Sequence, residues 1–194
     1  MLSATLKHFS LAEYHRLADL DFLQASDRIE LIRGELMQMA AKGTAHEVCL
    51  TRLLRELPKC LGDDFTLRCQ SPITLPPDSE PEPDFAIVQN RADDYLDHHP
   101  YSADILLLIE ISDSSITYDR EVKLPLYAEN GVADYWIFNL AETILECYSE
   151  PYFKPTGSWA YRTQRVCLAT EAIALPNLSD QPSLLLSKVF PLRR

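Results

Sequence analysis

The sequence predicts an α/β fold in which helices and strands alternate. Three observations carry that expectation. Two continuous apolar runs, Phe85-Ala86-Ile87-Val88 and Ile105-Leu106-Leu107-Leu108-Ile109, read as central strands buried on both faces. Two capping-box signatures, Ser10-Leu11-Ala12-Glu13 and Thr44-Ala45-His46-Glu47, stand at helix starts. Two stretches near 134–140 and 143–149 alternate as an antiparallel pair would.

Each element follows in order along the chain. A short helix is expected over 11–20, behind Ser10. Residues 28–40 hold two apolar runs around Arg33-Gly34 and read as a hairpin. Thr44 opens a helix with Val48, Leu50, Leu53, Leu54 and Leu57 close to the 3.6 period, ending near Pro58 and Gly62. A strand is expected over 65–75, then a Pro76-Pro77-Asp78-Ser79 turn. The segment 91–101, acidic and with His98-His99, reads as an exposed loop. Residues 119–130 read as a helix ending at Gly131, with Pro125 expected to kink or loosen it. The tail over 161–190 carries weaker strand signals.

Composition limits the function. The 194 residues are 46% hydrophobic and 24% charged, which suits one ordered domain spanning 1–194. No stretch approaches the roughly 18 apolar residues of a membrane span, and no signal peptide is visible, so no membrane association is expected. The five cysteines form no C-x-x-C pair, which argues against a zinc site or a disulfide framework and points to the cytoplasm. A net charge of −11 argues against a protein that coats nucleic acid, since neutralising phosphates needs Lys and Arg. A nuclease whose metal supplies local positive charge remains compatible.

The chemistry centres on three side chains. Asp84 follows Pro83 at the start of one apolar run, and Glu110 closes the next. Acids at those places can face each other at one point of a sheet and form an oxygen-only pocket suited to Mg²⁺, which keeps several waters. Lys123, on the following helix, could orient or deprotonate such a water. That set suits hydrolysis of a phosphodiester. Each residue also has a plainer role: Asp84 as a turn cap, and Lys123 as a surface ion pair with Asp119, worth about 0.2–0.5 kcal/mol. Glu110 is harder to explain that way, because an ionised carboxylate beside an apolar run is costly to bury without a partner. His46 either contacts the scissile phosphate or a site acid, or faces solvent at a helix start. Glu47 reads as the capping partner of Thr44. Glu30 either adds an acid at the metal edge or pairs Arg28 or Arg33. Gln70 is a candidate for polar support of Asp84. Tyr135, Trp136 and Phe138 read as packing.

Set in order, the segments Glu30-Leu31-Ile32-Arg33-Gly34-Glu35, His46, Glu82-Pro83-Asp84, Glu110-Ile111-Ser112, Asp119…Lys123…Tyr127 and Gly131…Tyr135-Trp136 resemble the Uma family. That is a large, mostly bacterial family regarded as nucleases and long called a domain of unknown function. It is placed in the PD-(D/E)XK, or restriction-endonuclease-like, superfamily. The resemblance covers roughly 10–149.

It implies a central mixed β-sheet flanked by helices, with an N-terminal helix and hairpin, and cleavage of nucleic acid, DNA above RNA, with Mg²⁺ or Mn²⁺. Asp84 matches the motif aspartate and Glu110 the motif acid, with the Ile111 carbonyl as a further metal ligand. Ser112 stands where the superfamily usually has a lysine, and Lys123 matches the place to which this family is taken to have moved it. The alternative is a catalytically degenerate member serving as a nucleic-acid-binding or protein-interaction module. A two-fold homodimer is also expected, with its seam on the exposed apolar residues of the 134–149 hairpin or the C-terminal segment, and with Arg33, Lys42 and Arg120 facing the substrate.

Overall fold

The computed structural model describes residues 5–178, 180 and 182–191. Helix α1 (Leu11–Asp19) begins at Ser10 with the expected reciprocal capping box, the Ser10 hydroxyl accepting from the Glu13 N–H and Glu13 accepting from the Ser10 N–H. Strands β1 (Ile29–Ile32) and β2 (Glu35–Gln38) form the expected hairpin. Its turn places Arg33 and Gly34 at positive φ, the geometry that two-residue hairpin turns require. Gly34 is also the one residue type that fits, because a Cβ there would lie 2.7 Å from the His8 Cβ.

Helix α2 (Thr44–Glu56) forms, but not with the expected cap. The N-cap is Gly43, with no side-chain cap bond, and Thr44 is already the first helical residue. The Glu47 N–H bonds the Gly43 carbonyl instead, so the Thr44–Glu47 capping box is not made. Gly43 suits this crowded place, since a Cβ there would stand 3.1 Å from Asp113 Oδ2.

Six strands make the central sheet in the order β3-β4-β5-β6-β7-β8: Phe65–Cys69, Phe85–Gln89, Ile105–Ser112, Asp134–Asn139, Ile144–Phe153 and Trp159–Leu168. Only β5 and β6 run parallel, joined by a helical crossover, so the sheet is mixed as expected. Strand β3 is shorter than its apolar pattern suggests. Gln70 turns the chain at positive φ, Pro72 has no N–H to give, and residues 73–75 bond instead to Pro81, Pro100 and Ser79. In the tail, β8 is a full ten-residue partner of β7, stronger than its sequence suggests. The short pair β9 (Ala172–Ile173) and β10 (Leu184–Leu185) completes the strands described. Within the acidic 91–101 loop, Tyr95 departs from the expected exposure: it is buried and donates its hydroxyl to the Gln89 carbonyl.

The crossover is helical over 116–129 in three pieces: α3 (Ile116–Tyr118), a π-helical turn (Asp119–Lys123) and α4 (Leu124–Glu129). Pro125 accounts for the change of pitch. It lacks the N–H that an α-helix would aim at the Glu121 carbonyl, and its ring would crowd that carbonyl. Gly131, at positive φ, closes the helix as expected, with the Val132 N–H returning to the Tyr127 carbonyl.

Two apolar clusters cover the sheet. On one face Cys49, Leu50 and Leu53 of α2, with Leu57, Leu186, Val189 and Phe190, pack on Phe85, Ile87, Leu107, Ile109 and Phe138. On the other, Leu126, Tyr127 and Ala128 pack on Ala86, Val88, Leu108, Tyr135 and Ile137. Trp136 and Phe138 on one face and Tyr135 on the other are therefore packing residues, as read from the sequence.

Candidate active site

Strand pairing brings the two acids together. Phe85 stands opposite Ile109, so Asp84 and Glu110, one step further along antiparallel strands, lie opposite each other on one face. The Asp84 N–H points at Glu110 Oε2, 3.4 Å away. Both acids are buried, at 7% and 4% exposure. Lys123 comes down onto them from the π turn, its Nζ donating to Glu110 Oε1 at 2.9 Å and lying 3.5 Å from Glu30 Oε2. The surface pair with Asp119 is not what forms. Asp119 is buried and instead accepts from the hydroxyls of Ser112 and Ser115.

His46 arrives from α2, the helix on the opposite face, around the strand ends. It is buried, and its Nε2 donates to Asp84 Oδ2 at 3.0 Å, so it contacts a site acid rather than solvent. Its Nδ1 is buried without a hydrogen-bond partner, Glu47 Oε1 being 3.9 Å away. Asp84 Oδ2 also accepts from the Ile111 N–H at 2.9 Å, while Oδ1 meets only Gln70 Nε2 at 3.3 Å and Lys42 Nζ at 3.7 Å. Because N–H and C=O of one strand residue project to the same edge, the Ile111 carbonyl also lies on the Asp84 side. Glu30 is buried and accepts from the Glu82 N–H and the Tyr118 hydroxyl; it pairs neither Arg28 nor Arg33, the latter reaching Glu129.

The structure gives roles to residues that the sequence named without assigning one, and adds Tyr118. The Tyr127 hydroxyl donates to Glu110 Oε1 at 2.9 Å, and Lys42, Glu82, Tyr118 and Asp119 border the same cleft. Tyr127 and Asp119 carry a signal in hindsight, at one turn either side of Lys123 on the helix. Lys42, expected on the substrate-facing side, borders the cleft. The cleft has a volume of about 320 Å³. Met37, Met39, Ala40 and Ala41 line one side and Ser114, Ser115 and Tyr118 another.

Charge in this cleft is unbalanced. Burial first, then the neighbouring Asp119 and Asp84, push the Glu110 carboxyl up to about 8 in spite of Lys123. Burial likewise raises Asp119 and Glu82. For Lys123 burial opposes the charge, but Glu110, Glu30 and Asp119 outweigh it and hold the ammonium well above its usual value. Three carboxylates surround the Lys123 ammonium, so the cation is over-stabilised, while burial leaves the acids under-stabilised. Burial also opposes ionised Asp84, yet the His46 hydrogen bond and charge, the Ile111 N–H and Lys42 together hold it below its ordinary value.

A divalent cation fits this donor set. Glu110 Oε2 and Asp84 Oδ1 are the weakly engaged oxygens, and the surplus is of carboxylate. Among the described residues no group of three or more His, Cys, Asp or Glu side chains is arranged to hold a metal ion. Two carboxylates with water are, however, a sufficient protein contribution for Mg²⁺.

With the geometry in place, comparison with known proteins is specific. The sequence model of Uma2, described as "Putative restriction endonuclease", matches residues 11–186. The chain belongs to the Uma2 family. Among curated proteins no sequence matches it. A solved structure described as "a putative nuclease belonging to DUF820 from Anabaena variabilis ATCC 29413" superposes with a TM-score of 0.68 at 11% identity, covering 94% of this chain and 97% of that one. At that identity the likeness bears on fold, and it agrees with the restriction-endonuclease-like architecture described above. No helix among the described residues is long and apolar enough to cross a membrane.

Proposed function

We propose that this Uma2 chain is a divalent-metal-dependent endonuclease that hydrolyses phosphodiester bonds of DNA. The observation that carries the reading is the convergence of Asp84 and Glu110, opposite each other on adjacent strands, with a buried lysine donating to one of them. Asp84, Glu110 and the Ile111 carbonyl would hold Mg²⁺ or Mn²⁺. When bound, the metal supplies Lewis-acid polarisation of the phosphoryl oxygen and a lowered water pKa. Lys123 places a fixed positive charge beside Glu110, where it orients the attacking water and offsets developing negative charge. Tyr127 and Glu30 keep that ammonium and Glu110 in register. His46 fixes the Asp84 carboxylate and leaves Oδ1 turned away from its hydrogen bond.

The proposal includes a cytoplasmic location, which suits five free cysteines, three of them buried. It also includes a two-fold homodimer with a revised seam. The 134–149 hairpin has its apolar residues mostly inside, so the proposed seam is on exposed apolar positions of the edge strand β8, Val166 and Leu168, with Leu185 of the C-terminal segment also exposed. The degenerate reading keeps one supporting observation, that Ser112 occupies the usual lysine position and is spent on Asp119.

Single-stranded DNA, plasmid DNA and RNA incubated with Mg²⁺ or Mn²⁺ test the reading. Cleavage is expected with metal and not with chelator, and Asp84→Asn should lower it by about 10²-fold or more. A folded protein that binds DNA and cleaves none of the three would establish the degenerate reading instead.

A further inference from the structure

The cleft does not end at its carboxylates. Arg28 and Glu82 border it, and the same two residues border a second cavity of about 240 Å³. Tyr14 and Ala18 of α1, Leu23, Gln24 and Ile29 form its other walls. The Tyr14 ring is fixed there, its hydroxyl donating to the Ile29 carbonyl at 2.9 Å. One chamber thus holds buried acids and a lysine, and its neighbour offers an aromatic face, apolar walls and an amide.

Arg28 stands where the two meet. Held at positive φ on entry to β1, its side chain makes no hydrogen bond or ion pair among the described residues. The other cleft cations are committed, Lys123 to Glu110 and Glu30, and Lys42 to Asp84. Arg28 is therefore the cation placed to receive a phosphate, a role its planar fork suits.

The recessed acids suit a flexible strand better than a rigid cylinder. Asp84, Glu110 and Lys123 are buried, in a cleft also lined by Met37, Met39, Ala40, Ser115 and Tyr118. A net charge of −11 provides no array of cations to hold both strands of a duplex against that recess. A paired strand also keeps its bases turned inward, which would leave the second cavity empty. An unpaired strand can bring a phosphate to the floor and swing the neighbouring base aside onto an aromatic ring.

We propose that the substrate enters as an unpaired strand, with the scissile phosphate at Asp84, Glu110 and Lys123, the adjacent phosphate at Arg28, and the adjacent nucleoside in the Tyr14–Leu23–Gln24 cavity. This rests on the nuclease reading of the same cleft and adds the form of the substrate to it.

Fluorescence anisotropy with Ca²⁺ as the cation tests it without turnover, using labelled oligothymidylate, oligouridylate and a DNA duplex of equal length. The unpaired oligomers should bind about tenfold tighter than the duplex, the scale of one stacked base. Leu23→Trp, which fills the second cavity, should remove about tenfold of that affinity at an unchanged melting temperature. Arg28→Ala, at a partly exposed site that does not threaten folding, should weaken unpaired binding and flatten its salt dependence. Preference for the ribose or the deoxyribose oligomer assigns the sugar, and either supports the inference. Equal or tighter duplex binding overturns it, as does unaltered affinity in both variants. Absence of cleavage with Mg²⁺ or Mn²⁺ while the unpaired preference holds refutes the hydrolase reading alone. Cleavage of duplex as fast as of single strands refutes this inference alone.

Discussion

Replacing Lys123 by Met preserves length and removes the ammonium that meets Glu110 and Glu30. Glu110 and Glu30 then lose ion-pair contacts at 2.9 and 3.5 Å, in a region where both stay buried. Removing one member of a buried pair costs about 3–5 kcal/mol, because the remaining charge is uncompensated. Here the cost should settle near the lower end. Glu110 titrates at about 8 even with the lysine present, so near neutrality it is already mostly protonated and leaves little uncompensated charge when the lysine goes. Protonated, it still accepts from Tyr127. A loss of about 3 kcal/mol lowers the melting temperature of a chain this size by about 6–12 °C.

Glu110→Gln keeps the Tyr127 contact and leaves Lys123 with Glu30. The double variant Lys123→Met/Glu110→Gln carries neither charge and should lose about 2 kcal/mol less than the sum of the singles. The pH dependence has a definite sign. The folded pKa of Glu110 lies above its ordinary 4.5, so its contribution is most favourable below pH 4.5 and declines as pH rises through about 8. That decline should steepen in Lys123→Met and vanish in the double variant. Urea unfolding followed by circular dichroism, at about pH 5 and about pH 9, measures both effects. Losses that add to within about 0.5 kcal/mol, and that are equal at the two pH values, would refute the buried pair.

Pro125→Ala restores the missing helix donor and should stabilise the chain by about 1 kcal/mol in thermal melts, yet reduce cleavage, as the π turn anneals and Lys123 rotates off Glu110. Equal cleavage rates would separate the π turn from the site. Asp134, which burial raises to about 6, has no side-chain ion pair among the described residues. Its contribution is therefore present below about pH 4 and lost as pH rises through about 6. Asp134→Asn should stabilise by about 1 kcal/mol at pH 8, discounted for its partial exposure, and leave stability at pH 4 unchanged; gain at both pH values would contradict this. Sedimentation at micromolar concentration should give a dimer for the native chain and a monomer for Leu168→Glu, and a native monomer would refute the homodimer.

The sheet was legible where burial is two-sided, because β4 and β5 open on unbroken apolar runs, 85–88 and 105–109, that read as central strands. It was poorly legible where pairing depends on distant partners. Strand β8 has five consecutive exposed residues, Arg162 to Val166, and is held in place by β7 rather than by its own pattern. The local signal at Thr44 was right about a helix and wrong about its cap, since Asp113, brought from 70 residues away, crowds the backbone at Gly43. At the site, Asp84, Glu110 and Lys123 were readable as acids and a base beside apolar runs. Tyr127 and Asp119 were masked because a tyrosine and an acid on an amphipathic helix look the same whether they bond a carboxylate or face water.

The electrostatics of the cleft constrain its chemistry more tightly than any one residue. Six acids, Glu30, Glu82, Asp84, Glu110, Asp113 and Asp119, line it against Arg28, Lys42 and Lys123, with His46 beside them. Burying carboxylates in excess is unfavourable by several kcal/mol per ion unless positive charge accompanies them. A protein that needed Glu110 only for packing would be more stable with glutamine or leucine there. Its donors favour the ionised form without overcoming burial: Tyr127 and Lys123 hold one oxygen, and the other faces Asp84 across the strand ends. Such an arrangement is stabilised by whatever cation completes it, so added Mg²⁺ or Mn²⁺ should raise the melting temperature of the native chain. Glu110→Gln should abolish that rise while folding normally. A metal-independent melting temperature would place the excess charge among structural features and remove the physical ground for hydrolysis at this site.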